Sequence, residues 1–346
     1  MKQFPLQYKK WFRNGISIVF VLTMISSGLL LFNSARIEDS YNLKNINFSI
    51  LGLVSLILIG SWLIEAVRIW LIAIGLGEKI SLRQIIQINL ASSFIGNITP
   101  FYSGGVPTQI YLLCQTGIKP GKSSAIVTLR LILSTLLFTL VAPVLLFYYH
   151  TNFSFGSIHQ ITTIAIPVSV LVSVMLITFI IKPNLAKIII SFLLRMIKSE
   201  KFHRLIEPFI NKFLNEVESF HESIGQFRKG FHFFLVIIAT FAYWLSFFSI
   251  APCLIQAFGI NTQGIFLRSI LLQFVLIFII AYLPVPGGSG LMEFGFFTLF
   301  SFIPPQIRTI FILIWRFLSY HLITFVGGII FLKIINRPER QLTVDS

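Results

Sequence analysis

The stretch Ala281-Tyr282-Leu283-Pro284-Val285-Pro286-Gly287-Gly288-Ser289-Gly290-Leu291-Met292-Glu293 constrains this chain more than any other. It is a Pro/Gly break with a carboxylate behind it, set in otherwise apolar sequence. In water it would be an ordinary turn. In a bilayer each unpaired backbone amide costs several kcal/mol, so such a break persists only where it is buried in protein or lines a wet cavity. A second break, Gly96-Asn97-Ile98-Thr99-Pro100-Phe101-Tyr102-Ser103-Gly104-Gly105, lies in the first half of the chain. One break in each half is the sequence pattern of a transport site.

Composition settles the solvent. The chain is 55% hydrophobic and only 11% charged, against about 25% charge in soluble domains. It reads as an all-α polytopic membrane protein. The formal net charge of +15 comes from Lys and Arg placed mostly between apolar segments. Topology and anionic headgroups explain that placement better than nucleic acid, for which no motif is visible. Cys114 and Cys253 read as small apolar residues.

Apolar runs predict spans over Ile16–Phe32, Phe48–Ile72, Ser124–Tyr149, Ile161–Ile181, Phe231–Ala257 and Thr309–Leu332. The first run has a basic start and resembles a cleaved signal peptide, but the spans that follow favour its retention. Residues 182–230 are basic and polar. Within them Phe209, Phe213, Val217, Phe220, Ile224 and Phe227 recur at helical spacing, one face of an amphipathic surface helix.

The positive-inside rule puts the N-terminus, the Lys79/Arg83 loop, the Lys119/Lys122 loop, segment 182–230 and the C-terminus in the cytoplasm. Segment Gln84–Thr116 then begins and ends on one side, and Ser269–Pro305 begins and ends on the other. Each is expected to be a re-entrant hairpin with a break at its tip. Arms of about 10–15 residues reach mid-membrane and no further. In each half a Gly-Gly break precedes a span bearing an arginine, Arg130 or Arg316. The expectation is about six full spans plus two opposed hairpins in an inverted repeat.

Glu65, Arg68, Arg130, Glu293 and Arg316 lie in or near apolar segments. A charge at the bilayer centre costs about 3 kcal/mol, so these must be paired or hydrated. Glu65 and Arg68 are one helical turn apart and suited to an ion pair, and snorkelling toward the interface also relieves their cost. For Arg130, Glu293 and Arg316 two readings stand side by side. They line a headgroup cavity, where the planar arginine fork suits phosphate oxygens, or they are structural pairs that hold the hairpins. Glu293 balances one arginine or carries a proton. The tips add Asn97, Thr99, Ser103, Gln109 and Ser289. Amides opened by Pro100, Gly104, Gly105, Pro286, Gly287, Gly288 and Gly290 favour anions, and the glycines also permit close packing of half-helices.

Other signals carry no chemistry. Gly117-Ile118-Lys119-Pro120-Gly121-Lys122-Ser123 has three residues between its glycines where a P-loop has four. Gly287-Gly288-Ser289-Gly290-Leu291 lacks the last glycine of a nucleophile elbow. The histidines show no metal-ligand spacing, and His321 reads as a packed polar residue. No metal or cofactor is expected.

The run Asn97-Ile98-Thr99-Pro100, followed by Gly104-Gly105-Val106-Pro107 and Tyr111-Leu112-Leu113, resembles the lysylphosphatidylglycerol synthase transmembrane-region family, the flippase-like domain proteins. Pro286-Gly287-Gly288-Ser289-Gly290 with Glu293, then Arg316 and Tyr320, is similar to its second signature. Glu65 and Arg68 fit its early element, and Arg130 its mid-chain arginine. The resemblance covers about residues 10–335 and implies a multi-span fold that moves lipid between leaflets. It implies a stand-alone member without the synthase domain, since the chain stops shortly after its last span. Val106 stands where the family is often acidic, which puts lysyl-phosphatidylglycerol in doubt as cargo.

The reading from sequence is thus one transmembrane flippase-like domain over residues 1–346, in a bacterial inner membrane with both termini cytoplasmic. It flips a phosphate-bearing lipid, an anionic phospholipid or a polyprenyl-phosphate-linked precursor. A separate lipid synthase is a further candidate partner. The alternatives are an intramembrane enzyme or accessory factor acting on a lipid-linked phosphate or sugar, and a membrane scaffold for a lipid synthase.

Overall fold

Prolines and capping side chains decide where the apolar runs begin and end. The computed structural model describes residues 46–152 and 230–336, apart from 262 and 281–284, with isolated positions Gly28, Pro167 and Val170. The runs expected at Ile16–Phe32 and Ile161–Ile181 and the basic segment 182–230 otherwise lie outside the described residues. Among the described residues the chain is helical, without strands. The α-helices are α1 (Phe48–Gly75), α2 (Leu82–Asn97), α3 (Gly105–Gln115), α4 (Pro120–Asn152), α5 (Phe231–Ala257), α6 (Ile265–Ile280), α7 (Leu291–Leu299), α8 (Pro305–Arg316) and α9 (Ile323–Ile335).

Asn47 starts α1, its side-chain oxygen accepting from the amides of Ser49 and Ile50 at 3.1 and 3.2 Å. Ser81 starts α2 through a capping box with Gln84. Prolines stand at the first turn of α4 and α8, where a missing amide costs nothing.

Among the described residues four helical stretches are long and apolar enough to cross a bilayer: Phe48–Gly75, Pro120–Val141, Phe231–Ala257 and Ile307–Ile335. The last joins α8 to α9 through a π-helical turn, Phe317–Leu322. The sequence predicts an unbroken span over Thr309–Leu332; the widened turn is the difference, and it falls directly after Arg316.

The chain divides into two compact units. One comprises residues 71–79 and 118–238. In it Lys122 on α4 pairs with Glu78 at 2.5 Å and donates to the Leu76 carbonyl at 3.2 Å, tying down the turn that follows α1.

The other unit comprises residues 1–70, 80–117 and 239–346 and contains both breaks. Here α2 packs on α3 and α6 on α7, so each break joins two helices that lie against each other. The two breaks also touch one another. α8 packs on α7 through buried aromatic rings, Phe296 lying 4.0 Å from Trp315 and 4.6 Å from Phe300 between ring centroids. α9 packs on α2, where Gly327 and Gly328 let it approach Leu90 and Phe94. The last span is therefore shared, its first half with the second break's helices and its second half with the first's.

Candidate functional site

Both breaks arise from the same local chemistry. Thr99 and Val285 each precede a proline, which disfavours helical backbone, and both are extended, with ψ of 144° and 124°. After each proline the chain makes a 3-10 turn, Pro100–Tyr102 or Pro286–Gly288. Its second residue has nearly identical angles in the two turns, Phe101 at φ 54°, ψ 18° and Gly287 at φ 55°, ψ 16°. The third is also left-handed, Tyr102 at φ 58° and Gly288 at φ 66°. Glycine adopts this conformation freely, whereas Phe101 and Tyr102 bear strain of order 1–2 kcal/mol each. Arg130 follows Pro100 by the same 30 residues that separate Arg316 from Pro286.

At the second break a buried charge cluster forms. Arg316 Nε donates to Glu293 Oε1 at 2.9 Å. Its Nη2 donates to the Gly287 carbonyl at 2.6 Å and to Ser289 Oγ at 3.2 Å. Glu293 Oε2 accepts from the Gly290 amide at 2.6 Å, capping α7 where the helix dipole favours an anion. The two side chains are 4% and 2% exposed, so the pair is desolvated, and its remaining hydrogen bonds offset that cost. The Arg316 guanidinium lies 4.1 Å from the centroid of the Tyr320 ring.

At the first break Thr99 Oγ1 donates to the carbonyls of Ile95 and Gly96 and accepts from the Gly104 amide at 2.9 Å. Gly96 and Gly105 leave room on either side for the Tyr102 ring. Asn97 Nδ2 donates to Thr324 Oγ1 at 2.8 Å, and the Asn97 carbonyl accepts from the Tyr320 hydroxyl at 3.0 Å. Thr99→Val keeps the shape and removes these hydrogen bonds. It is expected to lower stability by about 1 kcal/mol, read as a drop in melting temperature of the protein in nanodiscs.

The structure brings Ser289, Glu293 and Arg316 together within hydrogen-bond distance and places Asn97 and Thr99 on the break that touches theirs. Gln109 is buried one turn into α3, and neither end of its amide has a partner among the described residues. Arg130 is buried on α4, in the other compact unit. Glu65 and Arg68 form a pair of their own at 2.8 Å, with Arg68 over the Tyr243 ring at 5.3 Å. They are 5% and 2% exposed, so burial among protein groups replaces snorkelling to the interface. Sequence reasoning gave no role to Thr324 or to the Tyr320 hydroxyl. The available signal was Tyr320 standing one turn after Arg316.

The profile of the lysylphosphatidylglycerol synthase transmembrane region matches residues 14–327. The chain belongs to that family. It is also similar to a UPF0104 membrane protein of Archaeoglobus fulgidus, 27% identical over 334 residues, covering 90% of this chain and 95% of the relative. No solved structure matches it. The family is one of membrane proteins tied to lipid chemistry, and in this member the Arg316 fork and the Gly290 amide at the start of α7 both donate to one buried carboxylate, while Ser289 Oγ accepts from the same fork. Those donors suit any oxyanion of that size, a phosphate included.

Proposed function

We propose that this protein translocates a phosphate-bearing lipid, or a lipid-linked precursor, between the leaflets of a cytoplasmic membrane. The observation that carries the reading is the meeting of two breaks with one backbone conformation beside a desolvated Arg–Glu pair. In this reading each break is the tip of a re-entrant hairpin, the hairpins enter from opposite faces, and both termini are cytoplasmic. The equal spacing from Pro100 to Arg130 and from Pro286 to Arg316 supports an inverted repeat. Touching tips put polar backbone against polar backbone, the arrangement a bilayer tolerates. The headgroup lies at Ser289, Glu293 and Arg316, flanked by Asn97 and Thr99, while the tails stay in lipid.

Glu293 then holds the place of a headgroup phosphate. Cargo competes with it for Arg316, so Glu293→Gln weakens the internal competitor while Arg316→Gln removes the receptor. The test is a leaflet-exposure assay in vesicles containing fluorescent phosphatidylglycerol, with mass spectrometry of the lipid retained on purification. Accelerated exposure by wild type, lipid of unchanged mass, and loss in Arg316→Gln are expected. Altered lipid mass indicates an enzyme instead, and no exposure of any phosphate-bearing lipid tried overturns the proposal.

A further inference from the structure

The last span is held at two ends by different partners. Before the π turn, Arg316 is bonded to Glu293, Gly287 and Ser289 of the second break, and Trp315 packs on Phe296. After it, Thr324 accepts from Asn97, Gly327 closes on Leu90, and Phe331 lies 6.0 Å from Phe94. The turn between, Phe317–Leu322, carries Tyr320.

Tyr320 touches both sides. A Cβ placed on Gly287 would fall 2.6 Å from its hydroxyl and closer still to its ring, so the ring rests directly on the second break. The same ring stacks on Arg316. Its hydroxyl reaches across to the Asn97 carbonyl, at the C-terminus of α2, where the first break begins. Its own carbonyl accepts from Thr324 Oγ1 at 2.6 Å, and Thr324 in turn holds the Asn97 side chain. The residue is 4% exposed.

We infer that Tyr320 is a positioning residue that couples the two breaks, the π turn being the joint on which the halves of the last span move relative to one another. π turns are wider than α turns, and they recur at functional sites. While Tyr320 is seated, the first break is tied through Asn97 and the second through Gly287 and Arg316, so the breaks stay together. Unseating it favours the state in which they separate. The population shifts by as much as the hydroxyl bond and the ring packing favoured the joined state. The geometry stands without the transport reading; that separation serves lipid passage rests on it.

The experiment uses full-length protein in nanodiscs with Cys114→Ala and Cys253→Ala. Spin labels go on Ser103→Cys and Phe294→Cys, both exposed positions, one beside each break. Wild type is expected to give predominantly a short distance. Tyr320→Phe keeps the ring and removes the hydroxyl, so the ratio of long to short distances rises about three- to tenfold, the size of one net hydrogen bond. Tyr320→Leu loses the ring as well and makes the long distance dominant. Melting temperature in Tyr320→Phe stays near wild type, separating coupling from mere packing. Distance distributions that superimpose on wild type in both variants overturn the inference. Variants that show the distance response beside a wild type that moves no lipid overturn the transport proposal alone.

Discussion

Arg316→Leu is expected to destabilise the protein by about 3–5 kcal/mol, because among the described residues it leaves the buried Glu293 charge with the Gly290 amide as its one remaining hydrogen-bond donor. Arg316→Lys does not restore the wild type. A lysine is a single point of donors, whereas the guanidinium meets Glu293 from Nε and Gly287 and Ser289 from Nη2 in one plane. The double variant Arg316→Leu/Glu293→Leu separates structure from function. Replacing both partners of a buried pair with apolar groups is often neutral, so its thermal stability in nanodiscs should return toward wild type. Lipid exposure should stay lost, because the phosphate receptor is gone. A double variant as unstable as Arg316→Leu would show that the uncompensated charge is not the source of the defect.

Gly327→Ala is the second large effect. The added methyl would overlap the Leu90 carbonyl oxygen and lie 3.0 Å from Phe94 Cβ. The obstacle is backbone and the root of a side chain, so α9 must move off α2. Overpacking of this kind costs about 1–3 kcal/mol. Gly295→Ala is the control. Its methyl meets the side-chain end of Leu276, which can rotate away, so the loss of melting temperature should be clearly smaller. Equal losses at the two positions would mean that α2 and α9 yield as readily as a leucine rotamer. Gly327→Ala should also disturb the first break, since Asn97 and Thr324 lie along the same pair of packed helices.

The breaks were legible from residues alone because their cause is local. A proline removes an amide and excludes helical backbone from the residue before it, wherever the chain goes next. The helix ends around Pro100 and Pro286 accordingly fall close to their expected places, with α2 closing at Asn97 and α7 opening at Leu291. Local sequence also marked Ser289, Glu293 and Arg316, since charged and polar groups in apolar sequence need partners. It did not say which partners. Glu293 was free to balance either arginine, and its assignment to Arg316 depends on α7 and α8 packing through Phe296 and Trp315.

Three features were not written in the local sequence. Phe101 and Tyr102 take left-handed angles that their residue types disfavour, because the tertiary packing of the break outweighs a strain of order 1–2 kcal/mol each. The π turn gives no pattern distinct from an ordinary apolar helix. The Tyr320 to Asn97 bond joins residues 223 positions apart, and no spacing rule reaches that far. Backbone chemistry and hydropathy thus determined, within the sequence itself, that the chain enters a membrane and where its helices break. Which polar groups meet was decided only when helices distant in sequence packed together, because hydrogen bonds and ion pairs act over a few ångströms of space and not along the chain.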